Sequence, residues 1–215
     1  MLTVQPLLFN PVQENTYLVY NGKGEAAIID PGCYFPEEKE QLRSRIASLG
    51  LKPLILLNTH CHLDHVFGNR FVHETWGLEL HFHEAEQQVF DYATTAGDMW
   101  NLPFQNYEGP VHYIQENEKI CIGEEELKVL FTPGHSPGSV SYYCEKGGWV
   151  ISGDVLFRGS VGRTDLPGAD FPTLENSIRT RLYVLPDATQ VHSGHGMPTT
   201  IGHEKKHNPF VQSSS

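Results

Sequence analysis

The stretch Leu54–Asn69, LILLNTHCHLDHVFGN, ends an apolar run in a group of metal-type side chains. The run, residues 54–57, is followed by four such residues: His60, His62, Asp64 and His65. In an extended segment, residues two apart point to the same side, so the first two imidazoles can converge on one ion. Ligands in α/β proteins also bind at the carboxyl ends of buried strands. The stretch therefore predicts a strand, buried on both faces, that delivers a metal site.

Three later stretches each place one more ligand-type residue at a strand end shaped by glycine or proline. LFTPGHSPGS presents His135, VISGDVLF presents Asp154, and QVHSGHG presents His195. Two alternatives stay open at this point: Asp154 could cap a turn, and His192 could be the ligand in place of His195. With the opening group, these residues supply five histidines and two aspartates, enough ligands for two adjacent ions.

Other histidines and cysteines favour ordinary readings. His81 and His83 form a second H-x-H pair, but without the following D-H the pair is weak as a metal signal. Cys61 alternates with two ligands, so its side chain should point away from them and pack as a thiol. All four cysteines are scattered and are expected to be free thiols.

Composition limits the classes of protein. The 215 residues are 39% hydrophobic and carry a formal net charge of −11, which predicts one domain over residues 1–215, with a short C-terminal tail from about residue 203. The acidic balance gives no general attraction for nucleic acid or anionic membranes. The N-terminal residues lack the charge and apolar pattern of a secretory signal. We expect a cytoplasmic protein with no nucleic-acid or membrane partner.

The hydrophobic pattern predicts strands divided by helices. In the first half, residues 25–32 predict a short strand ended by Pro-Gly, and residues 53–60 and 78–83 are strand-like. In the second half, residues 126–135, 139–145 and 148–157 are strand-like. Helices are indicated by apolar spacing at residues 36–50, 84–97 and 173–185, together with a short one ending at Gly77. Residues 94–105 could instead form a loop at a substrate entrance. The pattern favours a layered α/β architecture.

The string His60-Cys61-His62-Leu63-Asp64-His65, followed by His135, Asp154 and His195, resembles the metallo-β-lactamase superfamily. The stretches GRTDLPGAD and SGHGMPTTIGHEKKHNPF are similar to those of its short, glyoxalase II-like bacterial hydrolases. The resemblance implies an αββα sandwich of two mixed β-sheets flanked by helices. It also implies a ligand set for two divalent ions: His60, His62 and His135 on one, Asp64, His65 and His195 on the other, and Asp154 between them.

The resemblance implies zinc first, with iron or manganese as alternatives. The implied activity is hydrolysis of a small thioester by a metal-bridging hydroxide that Asp64 helps to orient. Arg163 lies nine residues after Asp154, where the resemblance places a lysine that binds glutathione. It could bind a substrate carboxylate or pair structurally with Asp165 or Asp170. Asp165 replaces an expected tyrosine, and few residues follow His195, so another thioester, a lactone or an ester is also an expected substrate.

Two other classes of function remain. Persulfide dioxygenases share the same string and use one iron, held by positions equivalent to His60, His135 and Asp154 or a close variant. A metal-binding module without activity is the third possibility. Zinc β-lactamases are disfavoured because they usually carry a cysteine where Asp154 stands.

Overall fold

The computed structural model describes residues 1–212, and two six-stranded sheets form its centre. The first sheet holds β1 (Thr3–Phe9), β2 (Glu14–Tyr20), β3 (Glu25–Ile29), β4 (Lys52–Leu57), β5 (Leu80–His83) and β6 (Val111–Ile114). Its strands neighbour one another in chain order. The pairs β1–β2 and β2–β3 are antiparallel, and the pairs from β3 to β6 are parallel. This first sheet is therefore mixed.

The second sheet is also mixed. It holds β7 (Lys119–Ile122), β8 (Glu125–Phe131), β9 (Val140–Cys144), β10 (Trp149–Gly153), β13 (Gln190–Ser193) and β14 (Thr199–Thr200). Its order is β14-β13-β10-β9-β8-β7, and only β10 and β13 pair in parallel. A separate hairpin, β11 (Leu156–Phe157) and β12 (Ser160–Val161), follows β10.

The helices lie between strands along the chain, and only the last one follows the final strand. They are α1 (Pro36–Ser48), α2 (Leu63–Val66), α3 (Asn69–Trp76), α4 (Gln87–Met99), α5 (Phe171–Ser177) and α6 (Ile201–His207). A 3₁₀ turn, Glu84–Glu86, precedes α4, and a π-helical turn, Ile178–Leu182, continues α5. Gly77 ends α3 in the left-handed conformation, as its position predicts.

Three separate hydrophobic cores define the layers. Alternate residues of β3 face opposite ways: Ile28 packs in a core with α1 and α4 residues, whereas Ile29 packs in the core between the sheets. In β8, Val129 faces that middle core, and Leu130 packs in a third core with residues of α5 and α6. Helices thus cover the outer face of each sheet, which confirms the αββα sandwich.

Some local predictions differ from the structure. The predicted burial of β4 on both faces is observed at Leu56 and Leu57, but Leu54 is 38% exposed. The reason is that β5 pairs only with the last two residues of β4, so the start of the strand has no neighbour on that side. Residues 94–99 belong to α4 rather than to a loop.

The segment from about residue 203 was expected as a short tail, but its described part, residues 203–212, packs against the fold. It begins within α6, and Glu204, Asn208 and Val211 are all buried. The Glu204 carboxylate accepts hydrogen bonds from Gly159 N and from Thr199 Oγ1. Within the described residues, no helix has the length and apolar character needed to cross a membrane.

Candidate metal centre

The seven candidate ligands meet where strands of both sheets end. His60 and His62 follow β4, whereas His135, Asp154 and His195 follow β8, β10 and β13 of the second sheet. These three strands run in the same direction, since β10 is parallel to β13 and β9 is antiparallel to both β8 and β10. Their carboxyl ends therefore lie along one edge, facing the segment after β4.

His60, His62 and His135, here called the first triad, offer nitrogen atoms within 4.8 Å of one another. His62 Nδ1 lies 2.9 Å from His135 Nε2. The ring centroid of His60 lies 4.8 Å from that of His62 and 4.9 Å from that of His135. His60 and His135 are 1% and 2% exposed, so the group opens to solvent mainly beside His62.

Asp64, His65 and His195, here called the second triad, also present ligand atoms within 4.8 Å of one another. His195 Nε2 lies 3.1 Å from Asp64 Oδ2. Asp154 lies between the two triads: its Oδ2 is 3.6 Å from His135 Nε2 and 3.6 Å from His195 Nε2, and its Oδ1 is 3.5 Å from His65 Nε2. Its position suits a carboxylate that contacts two ions.

Several buried atoms of this cluster lack hydrogen-bond partners among the described residues. They include His60 Nε2, His65 Nε2 and Asp154 Oδ1. Buried polar atoms are almost always paired, so a set of unpaired ones that converge on one point fits a site that binds a cation. Lone pairs of imidazole and carboxylate are the ligands that Zn²⁺, Fe and Mn accept. The residues present therefore fit one or two divalent ions.

The pKa shifts in the first triad also suit metal binding, because metal ligands must be deprotonated. Burial, with the neighbouring imidazoles adding to it, holds the pKa of His60 well below its usual range. Burial likewise lowers the pKa of His62 to about 3. Both rings are therefore neutral at pH 7, and each offers a lone pair.

The second triad is shaped by opposite charges. Burial lowers the pKa of His65, but the carboxylates of Asp64 and Asp154 outweigh burial and hold that pKa well above its usual range. Burial raises the pKa of Asp154, yet His65 and the other imidazoles reverse the effect and lower it. These carboxylates thus stabilise positive charge at this point, as they would next to a cation.

Backbone carbonyl groups orient two of the ligand rings. His135 Nδ1 lies 2.8 Å from the carbonyl oxygen of Arg163. His195 Nδ1 lies 3.1 and 3.2 Å from the carbonyl oxygens of Val12 and Gln13. A carbonyl only accepts, so each Nδ1 carries a proton, and Nε2 is the nitrogen that can give its lone pair to an ion in the cluster. Such partners are typical of metal-binding histidines.

Asp30 supports the cluster from behind, although sequence reasoning did not single it out. Its carboxylate accepts hydrogen bonds from Thr59 N at 2.7 Å, Thr59 Oγ1 at 2.6 Å and Asn58 Nδ2 at 3.2 Å, and it lies 3.2 Å from His65 Nδ1. The signal was present: Asp30, like Asp154, directly follows a buried strand. The buried carboxylates Glu14 and Glu86 were also missed.

The other histidine candidates lie elsewhere. His192 packs edge-on against Tyr17 and Trp149, and burial lowers its pKa to about 4. Of the two alternatives, His192 lies on β13 and His195 follows it, and the structure brings His195 into the cluster. His81 stacks on His112, and neither His81 nor His83 belongs to a group of three potential ligands within the described part of the chain.

Arg163 lies at the rim, where its backbone carbonyl contacts His135. Its guanidinium forms two hydrogen bonds to Asp165, at 2.7 and 2.8 Å, and its side chain is 50% exposed. Asp170 instead caps α5 by accepting from Thr173 N. The structural pair is therefore with Asp165.

Comparison with known proteins gives one family. The model of the metallo-beta-lactamase superfamily matches residues 9–195. A probable metallo-hydrolase, YqgX of Bacillus subtilis, is 39% identical over 206 residues, which cover 95% of each chain. Hydroxyacylglutathione hydrolase GloC of Haemophilus influenzae is 38% identical over 94% of this chain and 95% of its own.

Solved structures agree with this result. The B3 metallo-beta-lactamase BLEG-1 superposes with a TM-score of 0.89 at 38% identity, covering 97% of this chain and 99% of its own. TTHA1623, in a di-iron-bound form, gives a TM-score of 0.88 at 42% identity, covering 97% of this chain and 100% of its own. ETHE1 from Myxococcus xanthus gives a TM-score of 0.79 at 26% identity, covering 99% of this chain and 86% of its own. Sequence, fold and ligand geometry agree, and the chain belongs to the metallo-beta-lactamase superfamily of metal-dependent hydrolases.

Proposed function

We propose that the protein hydrolyses a small thioester, in the manner of glyoxalase II, with two divalent ions. The observation that carries the proposal is the pair of three-residue ligand groups with Asp154 between them. The similarity to GloC supports the thioester, and the di-iron form of TTHA1623 supports a pair of ions. Zinc is the first choice of metal, and iron and manganese remain alternatives.

Divalent ions in this site would polarise a carbonyl oxygen and make water nucleophilic near neutral pH. The protein's own residues would hold and orient the reactants. Asp64 is the proposed catalytic residue, because its carboxylate belongs to the second triad and still keeps 14% of its side-chain surface exposed. From that position Oδ2 can accept a hydrogen bond from the attacking water and aim it at the substrate carbonyl.

Arg163 is the proposed anchor for an anionic group of the substrate. An exposed ion pair contributes only about 0–1 kcal/mol, so the pair with Asp165 can be exchanged for a pair with the substrate at little cost. A guanidinium suits a carboxylate because it donates two parallel hydrogen bonds. The fixed backbone of Arg163, next to His135, keeps this donor at the rim of the metal centre.

The anchor can be tested with paired variants. Arg163→Ala should raise KM for an anionic substrate at least several-fold and change kcat little, because the contact is made in ground and transition states alike. Asp165→Asn, which releases the guanidinium, should lower KM. The control is Arg43→Ala, since Arg43 is also 50% exposed and pairs with a nearby carboxylate, Glu40. Equal KM values for Arg163→Ala and Arg43→Ala would refute the anchor.

The second candidate is a persulfide dioxygenase with one iron, and the structural likeness to ETHE1 favours it. One ion could be held by His60, His135 and Asp154, as the sequence resemblance implies. The two candidates differ in metal content and in substrate, because a dioxygenase consumes O₂ and a hydrolase consumes only water.

One experiment separates the candidates. Protein purified without added metal is analysed for metal content and assayed with S-lactoylglutathione, glutathione persulfide, simple esters and a β-lactam. Two equivalents of metal with thioester hydrolysis is the expected result. One iron with O₂ uptake on the persulfide would replace the proposal with the second candidate. Stoichiometric metal without turnover on any substrate would favour a binding module. His60→Ala should lose metal, and the matched His81→Ala should keep it.

A further inference from the structure

Glu86 is a fully buried carboxylate at the junction of the 3₁₀ turn and α4, outside both triads. Its Oε1 accepts hydrogen bonds from Ser136 Oγ and Gly138 N, both at 2.6 Å, and its Oε2 accepts one from Cys61 N at 2.8 Å. A buried carboxylate is costly unless it is well paired, and these three donors supply that pairing.

All three donors belong to segments that carry ligands of the first triad. Cys61 lies between His60 and His62, after a strand of the first sheet. Ser136 and Gly138 follow His135, which comes after a strand of the second sheet. Glu86 therefore joins the two halves of the first triad through hydrogen bonds that cross from one sheet to the other.

The contact between Glu86 and the His135 segment is close. A Cβ atom at position 138 would lie 2.6 Å from Glu86 N and 2.8 Å from Glu86 Cγ. Only glycine at this position lets the segment come near enough for its N–H to reach the carboxylate. The spacing between the segments is thus set by direct contact with Glu86.

The second triad has other supports. His195 is oriented by the carbonyl groups of Val12 and Gln13, and His65 faces the Asp30 carboxylate. None of the Glu86 hydrogen bonds reaches the segment after β13. A change at position 86 should therefore affect the two ligand groups unequally.

We propose that Glu86 is a positioning residue that holds the His60–His62 segment and His135 at metal-binding distance, and thereby sets the affinity of the first triad for its ion. This inference rests on the metal-binding part of the proposed function and is independent of the substrate. It assigns to Glu86 a role at one of the two ligand groups, beyond general support of the fold.

The variant Glu86→Gln tests the role because it keeps the shape of the side chain. An amide has one oxygen and one NH₂ group, so it cannot accept on both sides. If the amide oxygen keeps the hydrogen bonds from Ser136 and Gly138, the NH₂ group faces the N–H of Cys61. The hydrogen bond to the His60–His62 segment is then lost. Removing such a partner of a metal ligand typically costs about 10–100-fold in metal affinity.

Glu204→Gln is the matched control. Glu204 is equally buried and also accepts three hydrogen bonds, from Gly159 N, Thr199 Oγ1 and Asn208 Nδ2. None of those donors lies within three residues of a candidate ligand. Both variants should lose comparable folding stability, because each leaves one buried donor without its acceptor, but only Glu86→Gln should lose metal affinity.

The experiment titrates zinc into the chelator-stripped full chain against a chromophoric competitor. Histidine ring ¹⁵N NMR spectra, assigned with single histidine variants, show which triad each equivalent occupies. We expect wild type and Glu204→Gln each to bind two equivalents of zinc, with affinities that agree between the two proteins. In Glu86→Gln the equivalent at the first triad should weaken about 10–100-fold, and the other should stay within about threefold.

Equal affinities in the two Glu→Gln variants would overturn the inference, and so would an equal loss at both triads. If Glu86→Gln does not fold, Ser136→Ala replaces it. That variant removes one of the three donors, so a smaller loss confined to the first triad is expected, and no loss overturns the inference. Failure of the wild-type chain to take up metal would overturn the proposed function together with this inference.

Discussion

A methyl group added at Gly194 should disrupt the metal centre directly. A Cβ atom at this position would lie 2.1 Å from Asp154 Oδ1 and 2.7 Å from His65 Cε1. The backbone cannot withdraw easily, because Gly194 N donates to Gly153 O at 2.8 Å and Gly194 O accepts from Asn15 N at 2.7 Å. In Gly194→Ala, the Asp154 carboxylate therefore has to move.

The size of the effect follows from these distances. Ordinary contacts begin near 3.4 Å, so the carboxylate oxygen must shift by about 1.3 Å from its present 2.1 Å separation. That distance is large compared with the tolerance of metal–ligand bonds, about 0.2 Å. Overpacking of this kind costs about 1–3 kcal/mol. If the cost falls on the metal-loaded state, metal affinity drops about 5–150-fold.

Zinc affinity by chelator competition, with thermal unfolding in the presence and absence of zinc, measures this effect. Gly22→Ala is the control, because a Cβ atom at Gly22 would meet nothing within 4 Å. That variant should bind zinc like wild type, with a stability equal to or up to about 1 kcal/mol above it. If Gly194→Ala binds both ions as tightly as Gly22→Ala, the carboxylate is not held where we describe it, and the reasoning is refuted.

Three further predictions concern stability. Tyr142→Phe should lower the free energy of unfolding, measured in urea titrations, by about 1–3 kcal/mol. The reason is that the variant leaves the buried Asn58 O without the hydroxyl that donates to it at 2.7 Å. The control Tyr113→Phe, at an exposed position, should change the free energy of unfolding by less than about 0.5 kcal/mol, and equal effects would contradict the prediction. His192 has a folded pKa of about 4 against a usual 6.5, so the unfolded state binds more protons and stability falls as the pH drops through this window. At about 1.36 kcal/mol per pH unit, its contribution is at most about 3 kcal/mol. His192→Phe should lose less stability than wild type between pH 7 and pH 4, and parallel losses would rule this out. Zinc at a hundred times its Kd should stabilise the chain by about 2.7 kcal/mol per ion, which raises Tm by about 5–10 °C. If removing the metal with a chelator leaves Tm unchanged, metal binding is contradicted.

Local patterns predicted much of the fold because local interactions determine those parts. Helix α1 begins at Pro36, carries acids in its first turn and ends before Gly50, which has a positive φ of 61°. The start of β4 was misjudged, because the exposure of Leu54 depends on how many residues β5 contributes to the pairing. Strands β1 and β2 were missed, since their pattern is informative only when the rest of the sheet is known.

Long-range contacts chose between alternatives that the sequence left open. Both His192 and His195 lie on or beside β13, but only the latter turns toward the cluster, where two carbonyl groups of the β1–β2 loop contact its Nδ1. Arg163 had two acidic candidates, and only Asp165 lies within hydrogen-bond distance. Glu86 had no sequence signal at all, because its three donors come from positions 25–52 residues away.

By itself, the sequence determined which ligand types this protein offers to a metal ion. An extended segment after an apolar strand dictates that His60 and His62 share a side, and the ligand types dictate divalent metal. The family resemblance implied two ligand groups with Asp154 between them, but only the tertiary structure decided the distances at which ligands far apart in the chain come together. Alternation along a strand is fixed by neighbouring residues, whereas distances across two sheets depend on how both sheets pack against a common core. The affinity and number of ions therefore depend on contacts, such as those of Glu86 and Gly194, that residue order alone does not specify.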